Sequence, residues 1–283
     1  MELLEVRGIT KKYAKFTLRD ISFSLPAGYI MGYVGRNGAG KTTTLSAITR
    51  LIRPDSGTVT IDGLRFEDDP IAYRDSIGYI GDSSYFPRRM TLRDIRTVLK
   101  DFYPSFDAAA FDALAEKWEL PDKAQIQTYS RGMKVKLMFA AALCRETKIL
   151  ILDEATNGLD PLVRREILKL LQDYIADGKH SVLFSTHIME DLQDIADYIF
   201  FIERGEKVFC EPKDDILESY LLVKGGPEEL TPELERLLIG VEKHDYGFQA
   251  LYPTDSALAL PPALSAEKPT IDQIVVHILE GRE

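Results

Sequence analysis

The sequence predicts an α/β fold built on a mainly parallel sheet, and three observations carry that prediction. Apolar β-type runs alternate with helical patterns between Lys148 and Ile202, the rhythm of a parallel sheet covered by helices. The run GRNGAGKTT, Gly35 to Thr43, lies between an apolar strand-like segment, Tyr29 to Val34, and a helix-like stretch reaching about Leu51. Two later apolar runs end in Asp153-Glu154 and in Ser185-Thr186-His187, and the carboxyl ends of such strands are where open α/β sheets take their ligands.

Taken in order, short β-type runs open the chain at Leu3–Arg7, Leu18–Leu25 and Tyr29–Val34. The loop after them fits G-x-x-x-x-G-K-[ST]. Gly35, Asn37, Gly38, Ala39 and Gly40 form a cradle whose glycines let backbone N–H groups approach phosphate oxygens. Lys41 reaches the β and γ phosphates, the Thr42 hydroxyl ligates Mg²⁺, and Thr43 follows at the positive end of the helix dipole. The loop therefore proposes an ATP or GTP site. Thr91 to Leu143 reads as mostly helical, with Thr91 and Asp107 as N-caps and Pro104 and Pro121 as breaks. It forms an inserted helical subdomain over about residues 85–145.

The sheet resumes with strands Lys148–Leu152, His180–Phe184 and Tyr198–Ile202, separated by helices near Leu162–Tyr174 and Met189–Ile195. Asp153 is suited to hold Mg²⁺, and Glu154, less committed to metal, to accept a proton from attacking water. By itself the acid pair also reads as a cap on the next turn; the phosphate loop in the same chain favours the catalytic reading. A lone histidine at a strand end is ordinarily a hydrogen-bonded loop residue, but in this company His187 can touch the γ phosphate.

After about Tyr220 the texture changes, with Gly225-Gly226-Pro227 and Pro261-Pro262 punctuating shorter segments. A helix begun by Thr231-Pro232, a β-like run around Gly247–Tyr252 and a last helix, Ile271–Leu279, make a small α+β appendage. Thr270 and Gln273 are spaced as the capping box of that last helix. Two domains follow, 1–218 and 219–283.

Bulk composition narrows the partners. A net charge of −10 over 283 residues argues against nonspecific binding to nucleic acid or anionic lipid. No run approaches a membrane span and the N-terminus MELLEVRG has no signal character, so the chain is expected in the cytosol. Cys144 and Cys210 are unclustered and read as reduced core residues.

GRNGAGKTT, ILILDEATNGLD and STH, in this order and spacing, resemble the nucleotide-binding subunit of ATP-binding cassette (ABC) transporters over about residues 1–215. The form of the signature segment is similar to that of single-cassette subunits of bacterial exporters. The resemblance implies a P-loop NTPase core of ABC type with an N-terminal antiparallel β subdomain. It implies ATP and Mg²⁺ as cofactors and ATP hydrolysis with Glu154, His187 and Lys41 as the catalytic group. YSRGMKVKL, Tyr129 to Leu137, stands where the family has its signature motif, usually LSGGQ. Ser130 and Gly132 match, whereas Arg131 replaces a glycine and Met133 a glutamine. Tyr13 sits where an aromatic ring stacks on adenine, the other reading being a buried strand-end tyrosine. IGYIGD places Asp82 where the family has a glutamine that contacts Mg²⁺ and links the site to the membrane partner. Asp160 falls in the loop that lies across the dimer interface, and it also reads as an N-cap ahead of Pro161.

By the same resemblance, the phosphate loop of one subunit and the Ser130–Gly132 segment of another enclose each ATP. The expected partners are thus a second copy or a similar subunit, and a separate integral membrane permease, with the chain peripheral on the cytoplasmic face and the direction of transport export. PTIDQIVVHILEG resembles the closing helix of such exporter subunits. Two other readings stay open from sequence: a soluble cassette protein acting on nucleic acid or the ribosome, and a nucleotide-binding regulator of low turnover suggested by Asp82 and Arg131.

Overall fold

Alternating buried and outward-facing side chains along Glu2–Lys12 and Thr17–Pro26 make the first two strands, β1 and β2, of the computed structural model, which describes residues 2–256 and 260–282. They are followed by β3 (Ile30–Val34), α1 (Lys41–Ile48), β4 (Ser56–Ile61), β5 (Leu64–Arg65), α2 (Pro70–Asp75) and β6 (Ile77–Gly81). Three helices are inserted next: α3 (Leu92–Phe102), α4 (Ala108–Lys117) and α5 (Arg131–Leu143). Then come β7 (Ile149–Asp153), α6 (Pro161–Ile175), β8 (Ser181–Ser185), α7 (Met189–Ile195), β9 (Tyr198–Glu203) and β10 (Glu206–Pro212). The last elements are α8 (Lys213–Glu218), β11 (Tyr220–Gly225), α9 (Pro232–Glu235), β12 (Ile239–His244), β13 (Gly247–Pro253), β14 (Ser265–Glu267) and α10 (Ile271–Glu280). The chain divides into two units, Met1–Ile188 with Tyr198–Cys210, and Met189–Asp197 with Glu211–Glu283.

In the first unit, β1 pairs antiparallel with β2 and β4 in a sheet of order β2-β1-β4-β5. The larger sheet has order β10-β9-β3-β8-β7-β6, with β3 parallel to β8 and β9, and β7 parallel to β6 and β8. Its three central strands, IMGYV, ILILD and SVLFS, are buried at every residue, which is why they read as unbroken apolar runs rather than alternating ones. Register sets Gly81 beside Asp153, Asp153 beside Ser185 and Ser185 beside Tyr33. Four strands therefore end level, and the loops leaving them open onto one edge.

One core serves both sheets of this unit. Tyr33 of β3 stacks on Phe200 of β9 with centroids 4.6 Å apart, and Phe23 of β2 tilts against Phe200 at 4.8 Å. The Tyr33 hydroxyl donates to Thr44 Oγ1 at 3.0 Å, so the buried ring keeps its polar end satisfied. The inserted helices start at expected caps: Thr91 and Asp94 form a capping box on α3, and Asp107 accepts from the Ala109 and Ala110 amides on α4.

The second unit carries a sheet of order β12-β13-β11-β14, its core formed by Val223, Leu234, Phe248, Ala250 and Tyr252. Helix α10 begins in the Thr270–Gln273 capping box. Buried His277 donates from Nδ1 to the Gly240 carbonyl at 2.6 Å, fixing α10 to β12. Five strands, β4, β5, β11, β12 and β14, and the short helices α2 and α8 go beyond the elements the sequence reading delimits, whereas β10 is the strand expected to end at Cys210. Cys144 and Cys210 form no disulfide. Cys144 is buried, its thiol pushed up to about 12 by desolvation, but Cys210 is only partly buried in β10 and so is less of a core residue than expected.

Candidate active site

The phosphate loop joins β3 to α1 with no side-chain cap on the helix, leaving its first N–H groups directed at whatever sits in front of them. Two of its glycines are required by space. A Cβ on Gly35 would lie 2.4 Å from the Ile202 carbonyl oxygen, and one on Gly40, at φ 116°, would meet Phe16 at 2.9 Å. The loop wraps the Lys41 side chain, whose Nζ donates to the Gly35 carbonyl at 2.7 Å and the Arg36 carbonyl at 3.4 Å. Lys41 is 6% exposed, an ammonium held almost out of water.

Across the opening, β7 delivers the two acids. Asp153 closes the strand, with Oδ1 accepting from Thr42 Oγ1 at 3.3 Å and Oδ2 from the Tyr79 hydroxyl at 3.5 Å. Glu154 turns off the strand in the left-handed region, φ 56°, a conformation costing about 1 kcal/mol for a residue other than glycine. Its N–H donates to the Ser185 carbonyl at 2.9 Å, which holds the turn. The carboxylate then meets three donors. Oε1 lies 3.5 Å from Lys41 Nζ, while Oε2 accepts from Asn157 Nδ2 at 2.6 Å and from His187 Nδ1 at 2.7 Å. An ionised carboxylate only accepts, so the His187 proton sits on Nδ1 in this contact.

The acids are tuned in opposite directions. Burial raises the Asp153 carboxyl and the neighbouring Glu154 charge adds to it, with the Thr42 hydrogen bond opposing. Burial also pushes Glu154 up, but the hydrogen bonds from Asn157 and His187 and the Lys41 charge together outweigh it and hold the group below the usual range. A depressed carboxyl adds stability above its unfolded-state value, and loses it as pH falls through the folded one. Removing the amide donor in Asn157→Ala is therefore expected to raise the Glu154 pKa. It shifts the acidic limb of the pH–turnover profile to higher pH, whereas a merely structural asparagine would lower turnover equally at all pH values.

Asn37, Gly38, Gly40, Lys41, Thr42, Thr43, Asp82, Asp153, Glu154 and His187 all line one cavity of about 1020 Å³. Gly35 and Ala39 support it from behind, Ala39 being buried. Phe16, Arg36, Tyr79 and Asn157 also line it; sequence reasoning did not single these out as site residues, although Arg36, Tyr79 and Asn157 fall within the quoted motifs. Tyr13 is not in the lining. Its ring is 47% exposed at the turn closed by the Tyr13 N–H and the Phe16 carbonyl, 2.8 Å apart, so it is not a buried strand-end residue. Asp82, expected near metal, lines the cavity and is paired with Arg131. Ser130, Gly132 and Asp160 stand apart from the cavity: Ser130 caps α5 through the Met133 amide at 3.2 Å, Gly132 faces Val163, and Asp160 caps α6 through the Leu162 and Val163 amides, each at 3.1 Å.

The arrangement has known counterparts. Nod factor export ATP-binding protein I of Rhizobium leguminosarum bv. viciae is 30% identical to this chain over 255 residues, which are 84% of this chain and 82% of that protein. The chain belongs to the ATP-binding subunits of ABC transporters. The family model described as ABC transporter matches residues 18–157. The ABC transporter ATP-binding protein YtrB of Bacillus subtilis (strain 168) is 29% identical over 223 residues, 78% of this chain and 76% of that one. A solved structure of the ATP-binding subunit of an ABC transporter superposes with a TM-score of 0.70 at 29% identity, covering 76% of this chain and 92% of that chain. As an ABC ATP-binding subunit, the protein binds ATP and is an ATPase. The nucleic-acid and regulator readings are not favoured, since these relatives are transporter subunits.

Proposed function

We propose that two copies of this chain, or one copy and a similar subunit, enclose ATP between them and that hydrolysis drives a separate membrane permease, in the direction of export. The observation that supports this most is that the chain's own cavity gathers Lys41, Thr42, Asp153, Glu154 and His187 while Ser130 and Gly132 stand outside it. A phosphate site so divided is completed by another subunit's α5 terminus, whose N–H groups and dipole favour an anion. Export is suggested by the relatives named for Nod factor export and linearmycin resistance. Among the described residues no helix is long and apolar enough to cross a membrane, which fits a subunit peripheral on the cytoplasmic face of its permease.

The site suits Mg²⁺ as well as ATP. No cluster of three or more His, Cys, Asp or Glu able to hold a metal ion occurs among the described residues, and Mg²⁺ commonly needs none, being held by one or two carboxylates together with phosphate oxygens and water. Asp153 and the Thr42 hydroxyl, 3.3 Å apart, are the oxygen donors that would hold it. The cation would supply charge neutralisation at the β and γ phosphates and reverse the upward shift of Asp153.

The remaining steps belong to side chains. Lys41 exchanges the Gly35 carbonyl and Glu154 Oε1 for phosphate oxygens, and His187 turns toward the γ phosphate. Glu154 thereby keeps Asn157 but loses the Lys41 and His187 donors that help depress it, and rises toward the operating pH, where a carboxylate is a better general base. It takes the proton of the attacking water while Lys41 and the partner's α5 terminus stabilise the developing charge.

Mixing two variants tests the shared site. Lys41→Ala removes the phosphate ligand of one chain and Ser130→Arg blocks the surface it offers the other, so each alone is expected to be inactive. An equimolar mixture makes half its dimers mixed, each with one intact site, and is expected to regain roughly a quarter of native turnover. No recovery, with both variants folded and exchanging subunits, contradicts the shared site.

A further inference from the structure

Two of the three departures from the family pattern, Asp82 and Arg131, are partners of each other. Arg131 Nη2 donates to Asp82 Oδ1 across 49 residues of sequence. Asp82 lines the nucleotide cavity and also an adjoining groove, about 380 Å³, that Arg131 and Lys134 share. The Arg131 side chain also runs close to Gly158, where an added Cβ would lie 3.5 Å from its Nε. The guanidinium thus lies against the turn that follows Glu154.

We propose that Arg131 is a charge-masking and positioning residue for ATP, neutralising the Asp82 carboxylate on the wall of the cavity that receives the triphosphate. The family's glutamine at this place carries no charge, whereas Asp82 presents a full negative charge to a polyanionic ligand. Uncompensated, that charge lowers affinity, and Arg131 returns the wall to neutrality while linking it to the first turn of α5. The side chains are 39% and 60% exposed, so the pair adds little to fold stability and its loss leaves the protein folded. Asp82 is in this account the partner of Arg131 rather than a metal ligand.

The inference rests on the cavity as an ATP site and not on dimerisation. It is tested by equilibrium titration of the full chain with a fluorescent ATP analogue, comparing native, Arg131→Ala, Asp82→Asn and the double variant. Arg131→Ala is expected to weaken binding about fivefold, the effect of one unit charge a few ångström away in water, and the loss shrinks as salt is raised. Asp82→Asn binds as tightly as native or tighter, and the double variant returns to native affinity. A double variant as weak as Arg131→Ala overturns the proposal, since the arginine would then touch nucleotide itself. So does an Arg131→Ala loss that ignores salt, or no loss at all. Native chain failing to bind the analogue would instead strike at the ATP site, which keeps the two failures apart.

Discussion

Glu154→Gln is expected to reduce ATP turnover by about 10²- to 10⁴-fold, the range lost with a general base, while ATP stays bound. The replacement has nearly the same shape and its amide oxygen can still accept from Asn157 Nδ2, 2.6 Å from Glu154 in the native chain. It takes away the negative charge facing Lys41 at 3.5 Å, which frees the ammonium for phosphate. Affinity for ATP therefore holds or improves as hydrolysis fails. Single-turnover phosphate release and nucleotide titration on the same preparation separate the two effects. A variant retaining a tenth or more of native turnover would move the proton acceptor elsewhere in the cavity.

Lys41→Ala is expected to have the opposite profile, with ATP affinity falling first. A buried ammonium held within the phosphate loop by two backbone carbonyls would make charge-assisted hydrogen bonds to a bound triphosphate in a largely dry setting. Losing one partner of such a pair costs about 2–4 kcal/mol, or roughly 30- to 1,000-fold in dissociation constant. Lys41→Arg keeps the charge but not the fit. The longer, forked head cannot sit in a loop closed by Gly35 and Gly40, so it is expected to rescue affinity only in part. Equal affinity in native and alanine forms, measured on folded protein, would mean that the loop does not hold the triphosphate.

The parallel sheet was legible because burial on both faces leaves no polar side chain to break the run: ILILD and SVLFS read as strands from composition alone. Helix starts were legible where a cap is chemically explicit, as at Thr91, Asp107 and Thr270. The strand Ser56–Ile61 was not, since SGTVTI exposes its first three residues and draws its pairing from β1, some fifty residues earlier. In the site, convergence of Lys41, Asp153, Glu154 and His187 follows from topology, because parallel strands ending level bring their loops together. The contacts that tune the group do not follow from it. Asn157 on Glu154 depends on a left-handed turn at Glu154, and Arg131 on Asp82 depends on how α5 returns to the sheet, so each pair is fixed by distances that spacing does not encode. Tyr13 shows the converse, a family position whose ring this chain leaves exposed beside the cavity rather than in its lining.

The central claim is that ATP joins two chains and hydrolysis releases them. Its most direct measurement is the mass of Glu154→Gln by light scattering with Mg²⁺, with and without ATP. The account predicts a species near the 31.9 kDa of one chain without nucleotide and one of twice that mass with ATP. A mass that stays at one chain under saturating ATP, shown bound in the same sample, would contradict it.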